Sequence, residues 1–212
     1  MKHIELSYNG ALEIIKNDEE YSRIFEILIY IINNITDEQI LIYYNKYSPG
    51  AKSISKALNR LIKDELLKHG YKKEVRIYDT NAKKHKGTGG KVDFVHESGV
   101  YAIEVAFNNV GSLPGTFQKL RQSTHVHKKH KKNINIKIGF IICATSDLRK
   151  YGGFDEAILT YCDCEGHLDV NDHENPYPVI IIGLDRPDTF NIEQHPKKKK
   201  GKKTGTPVPR TD

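Results

Sequence analysis

The stretch KVDFVHESGVYAIEVAFNN, residues 91–109, decides the reading of this chain. Two runs rich in β-branched and aromatic residues, 91–97 and 100–107, flank Ser98-Gly99, the pattern of a β-hairpin. Side chains alternate faces along a strand. Val92 and Phe94 therefore face one way and Asp93 the other; on the second strand Ile103 and Val105 share a face opposite Ala102, Glu104 and Ala106. The hairpin brings Asp93 and Glu104 onto one surface. Two close carboxylates repel and need a cation between them or a shared proton. Mg²⁺ suits such a pair because it takes oxygen ligands in octahedral geometry, and it can polarise a phosphate and help activate water. The same two acids also fit a plain solvent-facing hairpin, so spacing alone leaves both readings open.

Working outward, DEEYSRIFEILIYIIN (18–33) has apolar residues at helical spacing, with Asp18 as N-cap and acids in the first turn. Residues 34–50 read as a polar patch closed by a Ser-Pro-Gly turn. A second helix, roughly 51–69, carries Ile54, Leu58, Leu61, Ile62 and Leu66 and stops at Gly70, which suits a left-handed cap. A strand over 71–78 precedes the basic, glycine-rich loop KKHKGTGGK (83–91), which lacks the spacing of a nucleotide-binding P-loop. Beyond the hairpin come a helix over 115–130, a buried strand within INIKIGFIICA (134–144), a helix starting near Phe154 after Gly152-Gly153, and the buried strand PVIIIGL (178–184). The order predicts an α/β fold, a mixed central sheet with helices on both sides. Residues 1–195 form one domain in this reading, and PKKKKGKKTGTPVPRTD (196–212) a flexible basic tail.

At 212 residues, 38% hydrophobic and 28% charged, the chain can bury a core. Its formal net charge of +6 favours a polyanionic partner. No apolar run approaches the ~18 residues of a membrane span, MKHIELSYNG lacks the pattern of a signal peptide, and the 3 Cys do not make a disulfide framework. The expectation is a cytoplasmic protein without membrane contact.

The residues VDF and AIEVAFNN resemble the PD-(D/E)xK nuclease motif, and more closely the BglII, BstYI and BamHI group of type II restriction endonucleases. MKHIELSYNGALEII, IKDELLKHGYKKEV, GFIICAT and PVIIIGL occur in the same order as their counterparts there. The resemblance spans most of the chain and is weakest over 33–50 and 150–175. It implies a restriction-endonuclease-like fold and Mg²⁺-dependent cleavage of palindromic, GATC-centred duplex DNA by a homodimer. Asp93 and Glu104 match the metal-binding acids, the Val105 carbonyl a further ligand, and Glu74 a residue that completes the site from the preceding strand. Asn109 matches a base-facing Asn, able to pair bidentately with adenine or to make single bonds to other bases. Ala106 departs from the pattern, which places Glu or Gln there, or Lys in wider relatives, to orient or deprotonate the attacking water. Three explanations stand: a deliberately inactive substitution, which is slightly favoured; a group borrowed from elsewhere, such as Lys91 or Glu74; or a protein that binds without cutting.

Base reading falls to residues 108–112, with Asn108, Asn109 and Ser112, and to the loop SDLRKYGGFDE (146–156). Arg149 has the planar fork for guanine, although phosphate contacts are the commoner role for such a residue. Lys83, Lys84 and Lys86 can hold phosphate, as can the lysine run 197–203 in a salt-dependent, sequence-blind way. Two other groupings suggest zinc, His125 with His127 and His130, and Cys162 with Cys164, His167 and His173; both fit more simply as a basic helix end and ordinary loop thiols. A basic RNA-binding module is the third functional class, disfavoured by the absence of an aromatic RNP-like pattern or GXXG loop.

Overall fold

The computed structural model describes residues 1–76, 90–124, 136–171, 177–196 and 203–211. Strand β1 (His3–Tyr8) leads into α1 (Ala11–Lys16), α2 (Glu19–Asn33), α3 (Asp37–Tyr47) and α4 (Ser55–Lys68), followed by β2 (Tyr71–Arg76), β3 (Lys91–His96) and β4 (Tyr101–Val105). A short 3₁₀ turn, Val110–Ser112, enters α5 (Leu113–Thr124); then come β5 (Ile138–Ala144), α6 (Ser146–Tyr151), α7 (Tyr161–Val170), β6 (Val179–Leu184), β7 (Phe190–His195) and β8 (Thr204–Pro209). The central sheet has the order β1-β6-β5-β4-β3-β2. Its middle strands β4, β5 and β6 run parallel, whereas β1, β3 and β2 pair antiparallel at its flanks.

The runs GFIICA and VIIIGL predicted strands covered on both faces, and every residue of β5 and β6 is buried. One face of the sheet packs Tyr101, Ile103, Phe140, Ile142 and Ile182 with buried residues of α1–α4. The other packs Ala102, Ala106, Ile141, Cys143 and Ile181 with Leu113, Phe117 and Leu120 of α5 and Cys164 and Leu168 of α7. This is the expected α/β sandwich.

Helix α2 begins as expected, Asp18 accepting the Tyr21 N–H at 3.1 Å, and Gly70 takes the left-handed φ of +80° after α4. Helix α3 lies where a polar patch was read. A reciprocal Thr36–Gln39 capping box starts it, while only Ile40 and Tyr44 are buried along it. So narrow an apolar stripe carries little periodic signal.

A helix does not start at Phe154. The Gly152-Gly153 pair ends α6: the Gly152 N–H donates to Leu148 O at 2.8 Å, and Gly153 has φ +74°. The next helix begins at Tyr161, capped by a Thr160–Asp163 box. The expectation of a tail from 196 is also corrected, since residues 204–209 form β8 and pair along β7. Buried Tyr44 fastens this small sheet by sharing its single hydroxyl hydrogen between Gly205 O at 3.0 Å and Ala51 O at 2.5 Å. The rest of the lysine run, 197–202, lies outside the described residues.

Candidate active site

The site grows out of the β3–β4 hairpin. Phe94 pairs with Ile103 and Val95 with Ala102; one step further along this register stand Asp93 and Glu104. There the two side chains take over from the backbone ladder. The Asp93 N–H donates to Glu104 Oε1 at 3.2 Å, and the Val105 N–H donates to Asp93 Oδ2 at 3.0 Å. The carboxylates therefore converge. In extended backbone a residue's N–H and C=O point to the same side, so the Val105 carbonyl also faces the β3 side.

One detail of the expected alternation is overturned. Phe94 belongs to the α1–α4 side of the sheet, but Val92 packs on the α5 side, so the two do not share a face. The pleat slips at Asp93. The β2–β3 register continues across the same level, from Lys73↔Phe94 to Val75↔Val92, which sets Glu74 opposite Asp93. Glu74 has φ +50°, an uncommon conformation for a residue with a side chain. Its exposed carboxylate pairs with Lys91 Nζ at 3.4 Å. Glu74, Asp93 and Glu104 thus stand in one row across three strands, but among the described residues no three His, Cys, Asp or Glu side chains converge to hold a metal. The Glu74 side chain is turned to Lys91, at the exposed rim of that row.

Glu104 is 3% exposed. Burial and the neighbouring Asp93 push its carboxyl up to about 7, against the lowering effect of Lys119 and the Asp93 N–H. Lys119, on α5, donates its ammonium to Glu104 Oε2. The sequence reading missed this residue. The available signal was a lysine bordering the apolar face Leu113–Phe117–Leu120 of the helix that follows the motif. Ala106, as the alternation predicted, shares the Glu104 face, and it is buried under that helix.

The segment 108–110 pairs with residues 157–159, directly after the second segment proposed for base contacts. The Val110 N–H donates to Ala157 O and the Leu159 N–H to Asn108 O, both at 2.7 Å. Asn108 and Asn109 line a cleft with Lys52, Ser53, Phe154 and Asp155; Arg149 lines an adjoining one with Lys150, Phe154, Asp155 and Glu156. Asn109 Oδ1 accepts the Gly111 N–H at 2.8 Å, and the Ser112 hydroxyl donates to Asn109 O at 2.7 Å. That cap engages Asn109 Oδ1 within its own turn. Arg149 Nη1 donates to Glu156 O at 3.4 Å.

Lys83, Lys84 and Lys86 lie outside the described residues, as do His125, His127, His130 and His173. Cys162 is exposed, whereas Cys164 is buried beside Cys143. Successive positions two apart on a helix point to different faces, so the Cys162–Cys164 zinc reading has no geometry behind it.

The chain has relatives among solved structures. It is similar in structure to restriction endonuclease BglII complexed with a DNA 16-mer, with a TM-score of 0.55 at 18% identity over 99% of this chain and 100% of that one. It is likewise similar to free BglII, with a TM-score of 0.54 at 17% identity over the same shares. No curated protein matches the sequence. The family model for restriction endonuclease BglII/BglIII matches residues 4–184, and the chain belongs to that family.

Proposed function

We propose that this chain, a type II restriction endonuclease by family, hydrolyses phosphodiester bonds of palindromic duplex DNA as a Mg²⁺-dependent homodimer. The observation that carries the reading is the convergence of Asp93 and Glu104 on adjacent strands, one of them buried with its carboxyl pushed up to about 7. A buried carboxylate beside a second acid lacks positive charge, and here a lysine ammonium already fills part of that need. Two hard oxygen donors and a strand carbonyl are the right chemistry for Mg²⁺, so the residues fit the ion.

Asp93, Glu104 and the Val105 carbonyl would hold it. Bound there, Mg²⁺ supplies Lewis-acid polarisation of the scissile phosphate. The chain does the rest: the hairpin fixes both carboxylates against the phosphate, and the cleft at Asn108 and Asn109 seats the neighbouring bases. Water attacks in line, leaving a 5′-phosphate and a 3′-hydroxyl. Two-fold symmetry of the dimer gives a palindromic site, with GATC at its centre. Glu74 stands at the rim of the site, paired with Lys91. Asn108, Asn109 through its amide nitrogen, and Ser112 read base edges, Arg149 presents its guanidinium to guanine or to phosphate, and Lys83, Lys84 and Lys86 hold phosphate.

Long duplex DNA with Mg²⁺ tests this. Discrete fragments are expected, and Asp93→Asn should lose them while still binding DNA. Binding to one palindrome with no cleavage at any Mg²⁺ concentration would mean a DNA-binding relative that does not cut, the reading Ala106 leaves open.

A further inference from the structure

The motif position that should orient the attacking water is occupied by a methyl group, Ala106. The structure assigns the missing role to Lys119: we propose that its ammonium, delivered from α5, contacts the attacking water or the scissile phosphate. This rests on the nuclease reading above and adds to it the residue that replaces the side chain absent from position 106.

The geometry of the sheet makes the exchange possible. Ala102 and Ala106 flank Glu104 on one face, and both are buried in the cluster formed with Leu113, Phe117 and Leu120 of α5. Two methyl groups let α5 lie close over the strand, so a Glu, Gln or Lys at 106 would press into the helix. The same closeness lets Lys119, between buried Phe117 and Leu120, reach back to Glu104. Glu104 then has both oxygens engaged, Oε1 by the Asp93 N–H and Oε2 by Lys119. An ammonium has three donors; Glu104 takes one, leaving others for a phosphate oxygen or water. The Lys119 side chain is 32% exposed, so solvent and substrate can reach it. Lys91, another lysine near the acids, pairs with Glu74 on the exposed rim instead.

The test uses the full chain, long duplex DNA and Mg²⁺, with DNA affinity measured separately with Ca²⁺ in place of Mg²⁺. Lys119→Met is expected to lower the cleavage rate at saturating Mg²⁺ by ~10²–10³-fold, with DNA affinity held within roughly threefold. Lys119→Arg, which keeps the positive charge and donors, should recover part of the rate. An unaltered or faster rate in Lys119→Met, with only the required Mg²⁺ concentration changed, overturns the proposal: the ammonium is then a counterion that metal displaces. Should Lys119→Met fail to fold, Lys119→Gln decides in its place, since it keeps a donor to Glu104. Loss of rate with folding intact supports the assignment, and full rate overturns it. No cleavage by the unaltered chain is a separate result: it removes the nuclease reading and the Lys119 role with it.

Discussion

At the scale of single residues, Glu104 concentrates the electrostatics of the site. Its carboxyl sits at about 7 instead of the usual 4.5 because burial and Asp93 outweigh Lys119. The folded protein therefore holds this proton more tightly than the unfolded chain. With no metal bound, the associated stability is fully present below about 4.5 and is lost as pH rises through about 7. At about 1.4 kcal/mol per pH unit, the gap amounts to roughly 3 kcal/mol above neutrality. Thermal melts in EDTA should show the unaltered protein losing ground to Glu104→Gln between pH 5 and 8; parallel pH profiles for the two would refute the assignment. Since Mg²⁺ needs the ionised carboxylate, its stabilising effect should grow over the same pH interval. Asp93 and Glu104 were legible in the sequence because strand alternation converts spacing into facing. Lys119 was not, because its contact depends on how a helix crosses a strand 15 residues away. The meaning of Ala106 also changes with that packing. Ala106→Gln should lower stability by about 1–3 kcal/mol through overpacking against α5 and should not raise the cleavage rate. A gain in cleavage would instead favour Ala106 as an inactivating substitution.

At the scale of elements, the segment between β5 and β6 shows why local signals mislead. Gly152-Gly153 reads equally well as the stop of one helix or the start of another. Only tertiary contact decides: a Cβ on Gly153 would collide with the Lys52 carbonyl, and Gln194 Nε2 donates to Gly153 O at 2.6 Å. The following helix is set by Thr160, whose hydroxyl accepts the Asp163 N–H and donates to the Asp163 carboxylate at 2.6 Å. Thr160 is also buried, 2% exposed, beside the strip that pairs with Asn109. Thr160→Ala should cost about 1 kcal/mol and lower the melting temperature by about 2–4 °C. The loss should also loosen the contact between residues 108–110 and 157–159, weakening DNA affinity while the acid pair stays in place. Calorimetry and a DNA titration on the same sample check both parts; an unchanged melting temperature would show that the box contributes nothing. Helix α3 carries a comparable box at Thr36 and Gln39. Its capping motif was present in the sequence, but two buried residues in eleven gave no stripe to confirm it.

At the scale of the whole molecule, the buried parallel strands made the α/β sandwich readable, because continuous apolar runs such as IGFIICA have few other homes. The C-terminal region was not readable in the same way. Lysine, glycine and proline dominate it, and its strand β8 buries little of its own surface. What holds β8 is a partner already in place: β7 offers a complete register from Phe190↔Pro209 to His195↔Thr204. Its backbone also docks on the loop before α4, through the Ala51↔Thr204 bridge and a Gly205 N–H donating to Gly50 O at 3.2 Å. Gly205 is required there, since a Cβ would lie 2.8 Å from Ile192 Cγ2 and 2.9 Å from the Ala51 carbonyl. Ending the chain after residue 196 would strip β7 of its ladder and leave the Tyr44 hydroxyl with one acceptor instead of two. A loss of at least about 2 kcal/mol and several degrees of melting temperature is expected. A loose tail would leave melting unchanged on removal and alter only the salt dependence of DNA binding. Because β7, held by β8, closes over Gly153 next to the cleft lined by Arg149, Gln194 and Lys203, the truncated protein should also bind DNA more weakly at every salt concentration, not merely with a shallower salt slope.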